Sequence, residues 1–252
     1  MINGIKNNDR ATDVLVNKKA RQPVTLEIML KLQYTINHSK LQLSNKRLIW
    51  FAATYCLLGS FRIHKVLPVF RHSFDMTTTL MAEDLTLTTT TNGTRSVRTL
   101  TYNVRNSKED KSKHGIQVDV FENGGALNWG CAVKAYKKYV AHVGTIKPNQ
   151  RIGLFQDGLG CTGRMFNSDI KVLLKGKIDH SLRPLTTHSF RAGMATMMAR
   201  ACCSDEQIQL AGRWSSDAFK LYIKTARPQR AMMAAEVWGR LSKCRAVMHK
   251  LY

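Results

Sequence analysis

Apolar positions recur at helical spacing through most of the chain, and one central block breaks that rhythm. After Pro23 the stretch VTLEIMLKLQYTI places Leu26 and Leu30, with Gln33 or Tyr34, on one side of a predicted helix, and Thr25 stands where a hydroxyl can cap its first turn. From about Ser44 to Leu58 the residues are apolar nearly all round, which predicts a helix at the centre of the core. The pattern then changes to a Thr-rich, β-branched one. That region holds an Asn92-Gly93 turn, a charged turn from about Lys108 to Gly115 and a short stretch from Ile116 to Phe121, and so predicts three antiparallel strands. Helical spacing returns over Trp129 to Val140, over Arg164 to Leu174 with Met165, Ile170, Leu173 and Leu174 available for packing, and over the pair Arg191 to Cys203 and Asp205 to Leu210. A short helix from Ser215 or Ser216 carries Tyr222, and a last one follows Pro228 with Met232, Val237, Trp238 and Leu241 as packing residues. The expected fold class is α+β, mainly helical, with one small three-stranded antiparallel sheet. Residues 1–20 read as a polar lead-in, 21–230 as one body without repeats or an internal linker, and 231–252 as a terminal helix and tail.

Charge sharpens this picture. The 252 residues are 44% hydrophobic and 22% charged, a globular composition, yet 39 Lys and Arg stand against 17 Asp and Glu, a formal net charge of +22. The excess cations must sit mainly on a folded surface, which favours an acidic polyelectrolyte as partner. Charge alone does not separate nucleic acid from an anionic membrane. The most apolar run, LIWFAATYCLL, is eleven residues long and suits a buried helix rather than a bilayer span, so no membrane partner is expected. The N-terminal residues show no continuous apolar segment of the secretory kind. Six cysteines lack any C-x-x-C or zinc-like spacing, and reduced thiols in the cytoplasm, or in the nucleus of a eukaryote, are the simplest expectation.

The chemistry concentrates in TTHSFRAGMATMMARACCSDEQIQLAGRWSSDAFKLYI. His188 and Arg191 are three apart, so at the start of a helix they share a face and can meet one anion. Trp214 follows Arg191 by 23 residues and Tyr222 follows Trp214 by eight. Taken singly, these also fit a solvated arginine, a core tryptophan and a half-buried tyrosine.

As an ordered string, HSFR, AGRW and KLYI resemble the His-x-x-Arg box, the Gly-His/Trp box and the nucleophile segment of the tyrosine recombinase, or phage-type integrase, catalytic domain. GSFR, ending in Arg62, resembles that family's first arginine box, and RNSKED offers Lys108 for its β-hairpin lysine. The wording of GRWSSDAFKLYI is similar to recombinases of eukaryotic mobile elements. The resemblance covers roughly residues 20–230 and implies a DNA breaking-rejoining core that works without metal or other cofactor, on double-stranded DNA, as a homo-dimer or tetramer.

The implied roles agree with elementary chemistry. Cleavage of a phosphodiester by a protein hydroxyl needs cations on the nonbridging oxygens and an acid for the departing sugar oxygen. Arg62 and Arg191 suit the first need, because a guanidinium fork matches two phosphate oxygens and stays charged. Tyr222 is the implied nucleophile, His188 the base or proton relay, Lys108 the acid, and Trp214 a packing residue with one hydrogen-bond donor. Lys111 and Lys113, in the same charged turn, and Arg105 are expected to contact DNA phosphates; any of the three lysines can be read as a mere backbone contact. Resealing of the original strand, as in type IB topoisomerases, and a noncatalytic DNA-binding remnant are the alternatives.

Three departures bear on those alternatives. Lys65 occupies the place three after the first arginine that is commonly acidic, and His64 or Asp75 are the candidates to compensate. The Trp214 to Tyr222 interval is one residue shorter than the family's more frequent spacing. The helical N-terminal arm that grips the far face of DNA is expected to be absent, which predicts weak DNA affinity unless another subunit supplies the grip. The terminal helix after Pro228 can equally reach a neighbouring subunit or cover its own domain.

Overall fold

The computed structural model describes residues 22–73, 75–76, 79–92, 94–105, 115–122, 130–144, 146–155, 157–178 and 185–223. Helix α1 (Leu26–His38) begins where Thr25 accepts a hydrogen bond from the Ile28 amide at 3.3 Å. It buries Ile28, Met29, Leu32 and Ile36, whereas Leu26, Leu30 and Tyr34 face outward. The stripe expected to pack is therefore the wrong one of two. Both faces are apolar, and the inner stripe wins because adjacent Ile28 and Met29 give it a wider contact surface.

Helix α2 (Leu43–Leu58) is the axis of the fold. From Leu48 to Leu57 all but Trp50 are buried, and its Phe51 stacks on Tyr55 at 5.2 Å and on Tyr139 at 5.7 Å. Strands β1 (Leu85–Asn92), β2 (Arg95–Val104) and β3 (Ile116–Phe121) form an antiparallel sheet in the order β1-β2-β3. Its register sets Leu100 between Leu87 and Val120, and Leu100, Tyr102, Val104, Val118 and Val120 supply its buried face. The Tyr102 hydroxyl donates to the Lys65 carbonyl at 2.9 Å, fixing the sheet to the segment that follows α2.

Helices α3 (Ala132–Val143) and α4 (Gly163–Leu173) complete the main core, the first starting a few residues later than the pattern suggests. In α4 the buried residues are Phe166, Ile170 and Leu173, with Leu174 just beyond, and Met165 is only half-buried. Helix α5 (Thr187–Arg200) packs on α2, and α6 (Asp205–Gly212) and the short α7 (Lys220–Ile223) pack on α5. A second small core joins these last three: Ala195, Ala199, Ile208, Phe219 and Ile223 are all fully buried, with Trp214 and Tyr222 packed against them. The lead-in, the β2-β3 turn, Trp129 and the helix after Pro228 lie outside the described residues.

Candidate active site

Two helix ends build the site with the same device. After α2 the Ser60 amide donates to the Leu57 carbonyl at 3.2 Å and the Phe61 amide to the Cys56 carbonyl at 3.0 Å. After α6 the Arg213 amide donates to Leu210 and the Trp214 amide to Gln209, both at 3.0 Å. Each is a Schellman ending in which the left-handed residue is not glycine: φ is 51° at Ser60 and 52° at Arg213. The preceding glycine has a different duty. A Cβ on Gly59 would stand 2.2 Å from the Phe61 ring, and one on Gly212 would stand 1.5 Å from the Trp214 ring, so each glycine lets the aromatic two residues on fold back. GSFR and AGRW thus share a Gly-x-aromatic signal at a helix end, and it was legible in the sequence.

Arg191 is 8% exposed and Trp214 is its platform: the guanidinium carbon lies 4.8 Å from the indole centroid. Its Nη2 donates to the Gly212 carbonyl at 2.6 Å and to the Arg213 carbonyl at 3.4 Å. The Tyr222 ring packs on the same indole, centroids 6.2 Å apart, and Thr196 Oγ1 donates to the Tyr222 carbonyl at 3.1 Å, tying α7 to α5. Arg191, Trp214 and Tyr222, scattered over 32 positions, are brought together.

Arg62 is exposed and opens a 3-10 turn, Ile63–Lys65. His188 is exposed in the first turn of α5, three residues before Arg191. The His64 imidazole reports how these elements meet. Its pKa is held below the ordinary value, first by partial burial and then by the charges of Lys65, Arg62 and His188. The turn after α2 and the start of α5 therefore share one electropositive field, with Lys65 part of it. The link to α6 is Arg213, whose Nη2 donates to the Gly59 carbonyl at 2.8 Å and the Ser60 carbonyl at 3.3 Å while its guanidinium lies 4.8 Å from the Phe61 centroid. Sequence reading passed over Arg213, since nothing local marks a contact 154 positions away.

Arg105 departs from expectation. Its Nε pairs with Asp84 and its Nη2 with Glu83, each at 2.5 Å, so two carboxylates surround the one guanidinium and it braces the end of β2 against the turn before β1. A cation so neutralised is a poor phosphate contact. Arg191 and Arg213 are held by carbonyls at these contacts, which orient a guanidinium and leave its charge intact. Lys108, Lys111 and Lys113 lie outside the described residues.

No family model matches the chain, and no curated protein matches it. Solved structures do. The XerH site-specific recombinase bound to palindromic difH substrate, in a post-cleavage complex, superposes with a TM-score of 0.55 at 14% identity, over 92% of this chain and 56% of that one. Its pre-cleavage complex gives 0.53 at 15% identity, over 87% and 53%. The Tn1549 transposon integrase in complex with circular intermediate DNA gives 0.51 at 14%, over 87% and 68%. The chain thus spans just over half the length of XerH, and it has the fold of these recombinase and integrase structures.

Proposed function

We propose that this chain is the strand-cleaving and rejoining domain of a DNA recombinase, acting through a covalent tyrosine-DNA intermediate. The observation that carries the reading is the convergence of Arg191 and Tyr222 on Trp214, beside the Arg62 turn and His188.

In this reading Arg62 and Arg191 grip the nonbridging oxygens of one DNA phosphate and stabilise the charge that grows in the five-coordinate transition state. The Tyr222 oxygen bonds to phosphorus as the bond to the 5' sugar oxygen breaks. The phenol proton passes to His188 during attack. Lys108 returns a proton to the departing oxygen, giving a 3'-phosphotyrosyl enzyme and a free 5'-hydroxyl. Attack by a second strand's 5'-hydroxyl reverses the sequence and joins new partners. One phosphoester replaces another at each step, so no ATP is required. Trp214 offers no proton acceptor and serves by packing Arg191 and Tyr222 into register. Lys111 and Lys113 position the backbone without reading bases. Double-stranded DNA, gripped by two or four copies on paired sites, is the proposed assembly.

A pool of nicked suicide duplexes with randomised sequence, offered at low salt where phosphate contacts are least screened, tests the reading. The expected product is a denaturation-resistant protein-DNA adduct whose nuclease digest leaves a nucleotide on the Tyr222 peptide, and which Tyr222→Phe abolishes. No adduct from the unmodified chain, or an equal yield from Tyr222→Phe, refutes it.

A further inference from the structure

We propose that Arg213 is a positioning residue, a brace that holds the turn carrying Arg62 in register with the Arg191–Trp214–Tyr222 cluster. The proposal rests on the strand-cleavage reading above and adds a residue to which that reading gives no part.

The backbone supplies the first argument. Arg213 takes the left-handed conformation, φ 52°, at a helix ending where glycine is the usual choice. A side chain at this position carries a conformational cost, so its contacts must offset it. They do so across the fold. The guanidinium caps the Gly59 and Ser60 carbonyls at the end of α2, at 2.8 and 3.3 Å, and lies over the Phe61 ring at 4.8 Å. Gly59, Ser60 and Phe61 are the three residues before Arg62, so their placement sets where the Arg62 side chain starts. Ser60, itself left-handed at φ 51°, is fully buried, so this loop is packed.

The second argument lies at the other end of the brace. The Arg213 carbonyl accepts from Arg191 Nη2 at 3.4 Å, and the next residue is Trp214. One residue thus touches the loop of the first arginine with its side chain and the second arginine with its backbone. Lysine replaces it poorly: an ammonium can donate to the two carbonyls that Nη2 reaches, but it lacks the flat guanidinium that lies over the Phe61 ring at the same time. Arg213 contacts carbonyls and an aromatic face here, which marks it as a positioning group rather than a catalytic one.

The test compares Arg213→Gly and Arg213→Lys with the unmodified chain. Arg213→Gly relieves the backbone while cutting the brace, so its melting temperature is expected to stay near the parent's. Single-turnover adduct formation should fall about 10- to 100-fold, the scale of a misplacement near 1 Å, with DNA affinity and its salt dependence unchanged. Arg213→Lys should recover little of the loss. A second loss from Arg62→Ala on Arg213→Gly should be smaller than Arg62→Ala causes alone, because the two changes disable one unit. The brace also has a readout that needs no catalysis: the His64 titration midpoint, held down first by partial burial and then by the charges of Lys65, Arg62 and His188, should move toward its ordinary value in Arg213→Gly as the turn shifts away from the start of α5. Were the unmodified chain to form no adduct, the cleavage reading would fail and this midpoint would still decide the brace. An unmoved His64 midpoint overturns the proposal. So does an unchanged cleavage rate in an active enzyme, or a weakened affinity with a shallower salt slope, which would make Arg213 a phosphate contact instead.

Discussion

Gly193 sits inside α5, two residues after Arg191, and Gly193→Ala sets two effects of known size against each other. In a solvated helix the change stabilises by about 0.8–1.0 kcal/mol, because alanine loses less backbone entropy than glycine. Here the added Cβ would stand 2.2 Å from the Val24 carbonyl oxygen and 3.0 Å from a Leu57 methyl. A relaxed carbon-oxygen contact is about 3.3–3.6 Å, so α5 and the Val24 segment must separate by about 1 Å. The methyl can turn aside, but the carbonyl cannot. Val24 is fully buried, and its amide donates to the Ser189 carbonyl at 2.9 Å, one turn before Gly193. Overpacking of this kind costs about 1–3 kcal/mol, and straining that hydrogen bond adds about 0.5–1.5 kcal/mol. Sterics therefore outweigh propensity, and a net loss of about 1–3 kcal/mol is expected, a fall of about 3–10 °C in melting temperature for a chain of this size. Urea unfolding followed by tryptophan fluorescence measures it, with Gly130→Ala as control, since a Cβ there meets no atom of the described residues within 4 Å. The control should stay within about 0.5 kcal/mol of the parent. Gly193→Ala as stable as the parent, or more so, would refute the close approach of α5 to Val24.

The Tyr55 hydroxyl is buried with no hydrogen-bond partner among the described residues, while its ring lies 5.2 Å from Phe51 and 4.9 Å from Phe61. Tyr55→Phe keeps the ring contacts and removes a desolvated polar group, so thermal unfolding should show stability unchanged or raised by up to about 1 kcal/mol; a loss beyond that would reveal a partner for the hydroxyl. Exposed Cys202, at φ 61°, occupies the left-handed place after α5, and Cys202→Gly should gain about 0.5 kcal/mol in the same assay once glycine's unfolded-state freedom is set against the relieved backbone. For His64, whose folded pKa is depressed, the unfolded chain binds the proton more readily, so its contribution to stability is complete above about pH 6.5 and is lost as pH falls through the folded value. NMR titration should give a midpoint below 6.5 that rises in His188→Ala; an unmoved midpoint would separate the two imidazoles.

Elements governed by local rules were readable from the chain. Thr25 caps α1 as a hydroxyl before an apolar stretch should, the all-round apolar run makes α2, and the Thr-rich block folds into the three-stranded sheet. What escaped depends on distant partners. The chain offers α1 two apolar faces, and only packing against α2 and α4 decides that Ile28 and Met29 turn inward rather than Leu26 and Leu30. Arg105 looked available to phosphate because Glu83 and Asp84 lie on another element and meet it only through the sheet's register. Arg62, Arg191 and Tyr222 were singled out by motif order, yet the groups packed around them and their turns, Arg213 and the folded-back rings of Phe61 and Trp214, were visible at most as two Gly-x-aromatic triplets.

The way Arg191 and Arg213 are held has a consequence for ionic strength. Main-chain amide oxygens carry no net charge, so dissolved ions screen these contacts little. The brace on Arg105 is a pairing of opposite charges with both the guanidinium and Glu83 partly exposed, and it weakens as salt is added. Concentrated salt should thus loosen the corner of the sheet before it disturbs the aim of the two guanidiniums.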